Sequence, residues 1–194
     1  NHRPFPSPAG RIRIPNDSKS RAGGVLYSDY SLGRFFAEAA RQPWFENTIF
    51  LVTADHCASS AGRTEIPLQK YHIPALILAP GLIEPGVVDG IVSQIDLMPT
   101  LLSLLNMSYD SHFYGRSIFD PAYVNRAFIA TYQDLGYLEG DTFTILSPVR
   151  RFEQYRVVPT EENPHHLETM ERKDAVQVDR AIGYYQTSCK WNKR

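Results

Sequence analysis

The sequence predicts an α/β fold: part of a doubly wound, mostly parallel sheet flanked by helices, followed by a small antiparallel sheet and a C-terminal helix. Three observations lead to this prediction. Residues 49–54 form an apolar or β-prone run without alternation, which is typical of a strand buried on both faces. Apolar residues recur at helical spacing over 25–41. After Ala122 the pattern alternates, as antiparallel strands do, so we divide the chain into domains 1–121 and 122–194.

The first domain begins with a long loop. Residues 1–24 are rich in proline and glycine, and the helix over 25–41 ends before Pro43. After the strand at 49–54, residues 58–69 form a polar loop, and a second short apolar strand covers 75–79. A helix followed by a strand, a polar loop and another buried strand favours parallel alignment of the two strands.

A further helix is predicted within 91–106. Asp96 is placed to cap it, and Pro99 then lies in the first turn, where a missing N–H costs little. In the second domain, alternation predicts strands over 126–133, 142–146 and 152–158. We expect the charged stretch 161–174 to be a solvated linker. Helical spacing over 175–191 predicts the last helix.

The composition narrows the classes of function. The chain has 194 residues, of which 43% are hydrophobic and 21% charged, enough for one domain with a sizeable core. A formal net charge of -1 leaves no excess of Lys and Arg to neutralise phosphates, so we expect no nucleic-acid partner. No apolar run approaches the roughly 20 residues that a membrane-spanning helix needs. Because Asn1 follows no leading strand or helix, we expect the chain to be a fragment of a larger fold.

Asp55 and His56 are the strongest candidates for metal binding. They directly follow the strand at 49–54. In open α/β sheets the ligand crevice lies outside the carboxyl ends of the strands, and a carboxylate with an imidazole suits a divalent metal ion. The alternative is that Asp55 caps a following helix and that His56 is a core histidine with its hydrogen bonds satisfied.

Four other side chains are candidates for substrate binding. His2 and Arg3 lie in the proline-rich loop, where a histidine has little core to fill, and Lys70 and His72 precede the second strand. The alternatives are a solvated Lys70 and a His72 bonded to backbone near the sheet edge.

The set of candidates is incomplete for an enzyme. Two ligands do not hold a catalytic metal, which uses three or four protein ligands with one position open. Ser59, Ser60 and Thr64 follow no nucleophile-elbow pattern, and we expect Cys57 to be a small buried residue beside the site. Either the site is not catalytic, or the missing groups precede Asn1.

Three stretches in order resemble a known family. They are N-H-R-P-F at the start, T-A-D-H-C-A-S-S-A-G-R-T-E-I-P-L-Q-K-Y-H-I-P-A-L-I-L-A-P-G, and S-Q-I-D-L-M-P-T-L-L. Together they resemble the carboxyl-terminal half of a sulfatase-like protein of the alkaline phosphatase superfamily. More narrowly, they resemble the bacterial lipoteichoic acid synthase group of phosphoglycerol transferases. The resemblance extends from Asn1 to about Val158.

The resemblance implies a role for each candidate. Asp55 and His56 would be metal ligands, completed by a Glu and a nucleophilic Thr upstream of this chain. His2 would contact the transferred phosphate and protonate the leaving group, whereas Asp96 would be structural. The metal would be Mn²⁺, with Zn²⁺, Mg²⁺ or Ca²⁺ as alternatives. Members are anchored by amino-terminal membrane helices and act on the extracytoplasmic side of the bacterial cell membrane.

Three functions remain in competition at this point. The first is transfer of a phosphoglycerol group from a membrane phospholipid headgroup. The second is hydrolysis of a small ester by a sulfatase or phosphodiesterase, and the third is a noncatalytic glycolipid-binding module. The histidine beside Asp55 favours the first, because typical sulfatases use a formylglycine nucleophile and hold calcium largely with carboxylates. The fragment alone is expected to be inactive.

Overall fold

The structure is a computed structural model that describes residues 5, 8, 10–13, 20–57 and 66–191. In this part of the chain the regular elements alternate at first and then form a run of strands. They are α1 (Arg21–Ala39), β1 (Phe50–Thr53), β2 (Ala75–Leu78), α2 (Leu97–Leu104), β3 (Arg126–Ala130), β4 (Leu135–Glu139), β5 (Thr142–Ser147), β6 (Arg151–Val157), β7 (Leu167–Thr169) and α3 (Ala175–Trp191). The α/β class, the small antiparallel sheet and the C-terminal helix are therefore confirmed.

One compact unit consists of Asn1–Leu51 and Ile77–Pro85. Its helix α1 begins earlier than the sequence pattern predicts, because the Ser20 side chain accepts a 3.0 Å hydrogen bond from the Gly23 N–H and so caps the first turn. The apolar side of α1 packs edge-to-face on Phe50 through Phe35 and Phe36. This aromatic packing fixes the helix against the start of β1.

The other compact unit consists of Val52–Leu76 and Gly86–Arg194 and contains the antiparallel sheet. Its five strands follow one another in the order β3-β4-β5-β6-β7, each paired with the next along the chain. The core on this sheet is built from buried Ile66, Leu68, Ile129 and Phe143. The segment just before β2 therefore belongs to the same core as the sheet.

Two strands of this sheet lie where the sequence does not predict them. The sequence does not predict β4, because Gly136 interrupts the alternation of apolar and polar residues. The structure gives a physical reason for glycine at this position. A Cβ atom at this position would lie 2.8 Å from the Phe143 ring on the neighbouring strand. β7 lies within the stretch expected to be a solvated linker, and three residues pair it with β6. A strand this short carries too little periodicity to be recognised.

Helix α3 has the predicted limits and is held to the sheet by buried polar groups. Gln177 donates to the backbone carbonyls of Glu139 and Thr142 and accepts from the Thr144 hydroxyl at 2.8 Å. Gln154, which is fully buried, donates to Thr144 at 2.9 Å. Because the buried groups bond to one another and to backbone, the polar contact is satisfied rather than costly.

The strands β1 and β2 form a separate two-stranded sheet. The Thr53 hydroxyl, at the end of β1, donates a 3.0 Å hydrogen bond to the carbonyl of Pro74, just before β2. The carboxyl end of β1 therefore lies beside the amino end of β2, as in antiparallel neighbours. The parallel alignment expected for these two strands is not observed, because an apolar run carries no information about direction. The burial expected for them is not observed either: β1 is half-buried along its length, and the first two residues of β2 are exposed.

None of the helices in the described residues has the length and apolar content that crossing a bilayer requires.

Candidate metal site after the first strand

Asp55 and His56 leave the end of β1 together and face each other. The Nε2 atom of His56 lies 3.6 Å from Oδ2 of Asp55, and the two side chains are 59% and 84% exposed. The other carboxylate oxygen of Asp55 accepts a 3.0 Å hydrogen bond from the His56 backbone N–H. With most of its side chain in solvent, His56 is not a buried core histidine, so that alternative is wrong. The alternative in which Asp55 caps a following helix stays a prediction, because residues 58–65 lie outside the described part of the chain.

The orientation of the His56 ring suits metal binding. Its Nδ1 atom lies 2.8 Å from the carbonyl oxygen of Cys57, which only accepts hydrogen bonds, so Nδ1 carries the proton. The Nε2 atom is the ring nitrogen that faces the Asp55 carboxylate. Metal-bound histidines commonly donate their other ring N–H to a backbone carbonyl in this way. Donor atoms bound at about 2.1 Å around one tetrahedral ion lie roughly 3.4 Å apart, close to the observed spacing.

The chemistry of this donor pair fits a divalent metal that accepts both oxygen and nitrogen. In the described part of the chain, no group of three or more His, Cys, Asp or Glu side chains is arranged to hold a metal ion. Asp55 and His56 thus supply two ligands of the same ion at most. Cys57 is buried and unpaired with Cys189, which is exposed, and it is not part of the donor pair.

Gln94 holds the backbone at the metal pair. Its side-chain Nε2 donates to the carbonyl oxygens of Ala54, at 3.0 Å, and Asp55, at 3.3 Å. Gln94 begins a 3₁₀ turn, Gln94–Asp96, directly before α2. Sequence reasoning missed it, because an exposed glutamine before a helix shows no pattern that relates it to a strand about 40 residues earlier.

Asp96 is the anchor of that turn. Its side chain is fully buried, and it accepts hydrogen bonds from the Ser93 and Arg116 backbone N–H groups. It also forms a two-armed ion pair with Arg126. Asp96 is the N-cap residue of α2, as predicted, and Pro99 lies in the first turn. Its carboxylate makes no capping hydrogen bond to α2 and bonds instead to Ser93, Arg116 and Arg126. These contacts are consistent with the prediction that Asp96 is structural and does not bind the metal.

Tyr123 completes the environment of Asp96. Its hydroxyl donates to the Asp96 carboxylate and to the carbonyl of Ile91, both at 3.0 Å. Burial, and then the negative charge of Asp96, raise the pKa of Tyr123 well above its usual value. The hydroxyl consequently keeps its proton and serves as a donor. The Arg126 guanidinium also lies over the rings of Tyr123, Phe128 and Tyr184, which shields the ion pair from water.

Of the four predicted substrate-binding residues, the structure describes two, Lys70 and His72. Lys70 ends the 3₁₀ turn Leu68–Lys70. His72 is exposed, and its ring packs edge-to-face on His165 with ring centres 5.5 Å apart. His2 and Arg3 lie outside the described residues. Because the end of β1 lies beside the start of β2, His72 and Asp55 leave the strand pair from the same end.

Comparison with known proteins gives the family. A family model described as Sulfatase matches residues 6–107, which is more than half of the chain. An arylsulfatase of Clostridium perfringens is 30% identical over 107 residues, covering 50% of this chain and 22% of the relative. A crystal structure of an alkaline phosphatase superfamily protein from Vibrio parahaemolyticus has 32% identity and a TM-score of 0.84, covering 97% of this chain and 47% of that one.

A more distant structure shares the fold. BT4656, solved in complex with its substrate D-glucosamine-2-N,6-O-disulfate, has a TM-score of 0.64 and 18% identity, covering 90% of this chain and 40% of that protein. The chain thus spans less than half the length of each of these relatives. The match to the family model and the two closer likenesses show that the chain belongs to the sulfatase family, within the alkaline phosphatase superfamily.

Proposed function

We propose that this chain is the carboxyl-terminal part of a metal-dependent transferase that moves a phosphoglycerol group from a membrane phospholipid headgroup. The observation that carries the proposal is the facing pair Asp55 and His56, with the imidazole oriented by the Cys57 carbonyl. A carboxylate with a neutral imidazole suits Mn²⁺ or Zn²⁺ better than Ca²⁺, which takes oxygen ligands almost exclusively. Mn²⁺ is our first choice, with Zn²⁺, Mg²⁺ and Ca²⁺ as alternatives.

The bound metal ion would supply positive charge that acidifies a hydroxyl and stabilises the phosphoryl oxygens. Asp55 and His56 hold that ion, and a Glu and a Thr preceding residue 1 complete its ligands. The sequence resemblance supports this division, and so does the chain's coverage of only 47% of its Vibrio parahaemolyticus relative.

The remaining candidates bind the anionic substrate. Lys70 and His72 precede β2, and the hydrogen bond between Thr53 and Pro74 supports their assignment, because it brings the start of β2 beside the end of β1. We assign contact with the phosphate to His2 and Arg3, which lie outside the described residues. His2 protonates the departing oxygen, because an alkoxide leaves far more readily as an alcohol.

The reaction proceeds in two displacements. The upstream Thr, having lost its hydroxyl proton to solvent, attacks phosphorus, the bond from phosphorus to the diacylglycerol oxygen breaks, and diacylglycerol leaves with the proton from His2. An acceptor hydroxyl or water then gives its proton to His2 and attacks the glycerophosphothreonine ester, and the bond from phosphorus to the Thr oxygen breaks, which restores the Thr. A phospholipid substrate requires access to a membrane, so we place the catalytic domain on the extracytoplasmic side of the bacterial cell membrane, anchored by helices outside this chain.

Hydrolysis of a small sulfate or phosphate ester is the second candidate. The 30% identical arylsulfatase favours it, since the likeness covers half of this chain. The two candidates share the metal pair and differ in the nucleophile and in the acceptor. A noncatalytic glycolipid-binding module, the third candidate, would keep the fold without turnover.

Substrate choice can be measured on the full-length protein. Phosphatidylglycerol vesicles with Mn²⁺ should release diacylglycerol, whereas nitrocatechol sulfate should not be hydrolysed. His56→Ala should abolish release, and His166→Gln, at an exposed histidine beyond β6, should leave it unchanged. Sulfate-ester hydrolysis without lipid turnover would favour the sulfatase. Absence of both activities, with metal bound, would favour the binding module.

The isolated 194-residue chain provides a separate check. Without the nucleophile and the other ligands it should turn over neither phosphatidylglycerol nor aryl phosphates and sulfates. Activity of this chain alone, abolished by His56→Ala, would show that the nucleophile lies within it.

A further inference from the structure

The segment that carries the metal pair is exposed, so something must hold it in place. β1 ends at Thr53, and Asp55 and His56 follow with most of their side-chain surface in solvent. Exposed loop backbone samples several conformations unless hydrogen bonds restrict it. The 3.6 Å spacing of the two donor atoms depends on the backbone at these residues.

The Gln94 amide supplies such a restriction. Its two N–H bonds reach two successive carbonyl oxygens, those of Ala54 and Asp55. A single planar group bonded to two neighbouring peptides fixes both their position and their rotation. These bonds to the backbone therefore help to keep the Asp55 carboxylate and the His56 imidazole facing each other.

Gln94 can do this because its own backbone is firmly anchored. It starts the 3₁₀ turn that ends at Asp96, and Asp96 is fully buried. The Asp96 carboxylate bonds to Arg126 on β3 and to the backbone N–H of Arg116. A continuous set of hydrogen bonds therefore runs from the antiparallel sheet, through this turn, to the backbone of the metal pair.

We propose that Gln94 is a positioning residue for the metal site, acting through the backbone of Ala54 and Asp55 rather than by touching the metal. The inference rests on the proposed metal-dependent function. Loss of a partner that orients metal ligands typically lowers metal affinity by about 10- to 100-fold. A residue that merely tied down the loop would change thermal stability and leave metal affinity unchanged.

Calorimetric titration of the full-length protein with Mn²⁺ alone tests this role. Gln94→Met keeps the length of the side chain and removes both donors, and it should raise the Kd for Mn²⁺ by about 10- to 100-fold. Gln94→Asn keeps the amide on a shorter arm and should give an intermediate Kd. Gln133→Met, at an exposed glutamine in the β3–β4 turn, is the matched control and should bind as the wild type does.

Thermal melting without metal completes the experiment. Because the Gln94 side chain is exposed, both Gln94 variants should melt within a few degrees of the wild type. Wild-type affinity in Gln94→Met would overturn the inference while leaving the proposed function intact. Loss of folding in both variants would also overturn it, by showing a purely structural role. Absence of Mn²⁺ binding by the wild type would instead refute the metal site itself.

Discussion

Asp96 and Arg126 form a buried, two-armed ion pair in which both nitrogen–oxygen distances are 3.1 Å. The two side chains are 0% and 3% exposed. The pair joins the turn before α2 to the first strand of the antiparallel sheet. Since that turn also carries Gln94, the ion pair connects the sheet with the backbone beside Asp55 and His56.

Removing one partner of this ion pair should strongly destabilise the protein. Asp96→Asn leaves the Arg126 charge buried without compensation, and we expect a loss of about 3–5 kcal/mol in the free energy of unfolding. Urea denaturation measures the loss. Arg34→Ala is the control, because the Arg34–Glu38 pair lies on the surface, where solvent screens it, and its loss should change stability far less. A loss below about 1 kcal/mol for Asp96→Asn would contradict the role of the pair.

Gly115 should not tolerate even one methyl group. A Cβ atom there would lie 2.0 Å from the carbonyl oxygen of Ile95 and 2.9 Å from the Asp96 nitrogen, both of them backbone atoms. Gly115→Ala should therefore cost at least about 2 kcal/mol, since the turn must move. Gly183→Ala, in α3 with open space around the new methyl, should instead stabilise by about 0.5–1 kcal/mol. Equal effects of the two substitutions in urea denaturation would contradict the observed packing.

His165 should make stability depend on pH. Burial, and then the neighbouring His72, lower the pKa of His165 below its ordinary value of 6.5. The unfolded chain therefore takes up a proton at a higher pH than the folded chain does. The contribution of His165 is complete above about pH 6.5 and declines as the pH falls below that value.

The comparison of two histidine variants isolates this effect. Between pH 8 and pH 5.5, the wild type should lose more free energy of unfolding than His165→Gln. His166→Gln, next along the chain and exposed, should behave as the wild type does. Identical pH profiles for the wild type and His165→Gln would contradict a lowered pKa of His165 in the folded protein.

The sequence predicts those parts of the fold that depend on local pattern. Helix α3 has the predicted limits, and Asp55 and His56 come together because they are neighbours after one strand. Contacts between distant residues left no such signal. The bonds from Gln94 to Asp55 and from Asp96 to Arg126 join residues 39 and 30 positions apart. The sequence pattern likewise gave no information about the relative direction of β1 and β2. The division of the chain into domains between residues 121 and 122 stays a prediction.

The most direct test of the central claim is the affinity of the full-length protein for Mn²⁺, compared between the wild type and Asp55→Ala. We predict that Asp55→Ala loses one tightly bound ion and that its Kd for Mn²⁺ rises at least about 100-fold. This rise exceeds the one expected when a residue that only positions the ligands is lost. Asp89→Ala, at an exposed aspartate before α2, should bind as the wild type does. Unchanged Mn²⁺ affinity in Asp55→Ala would contradict the assignment of Asp55 and His56 as metal ligands.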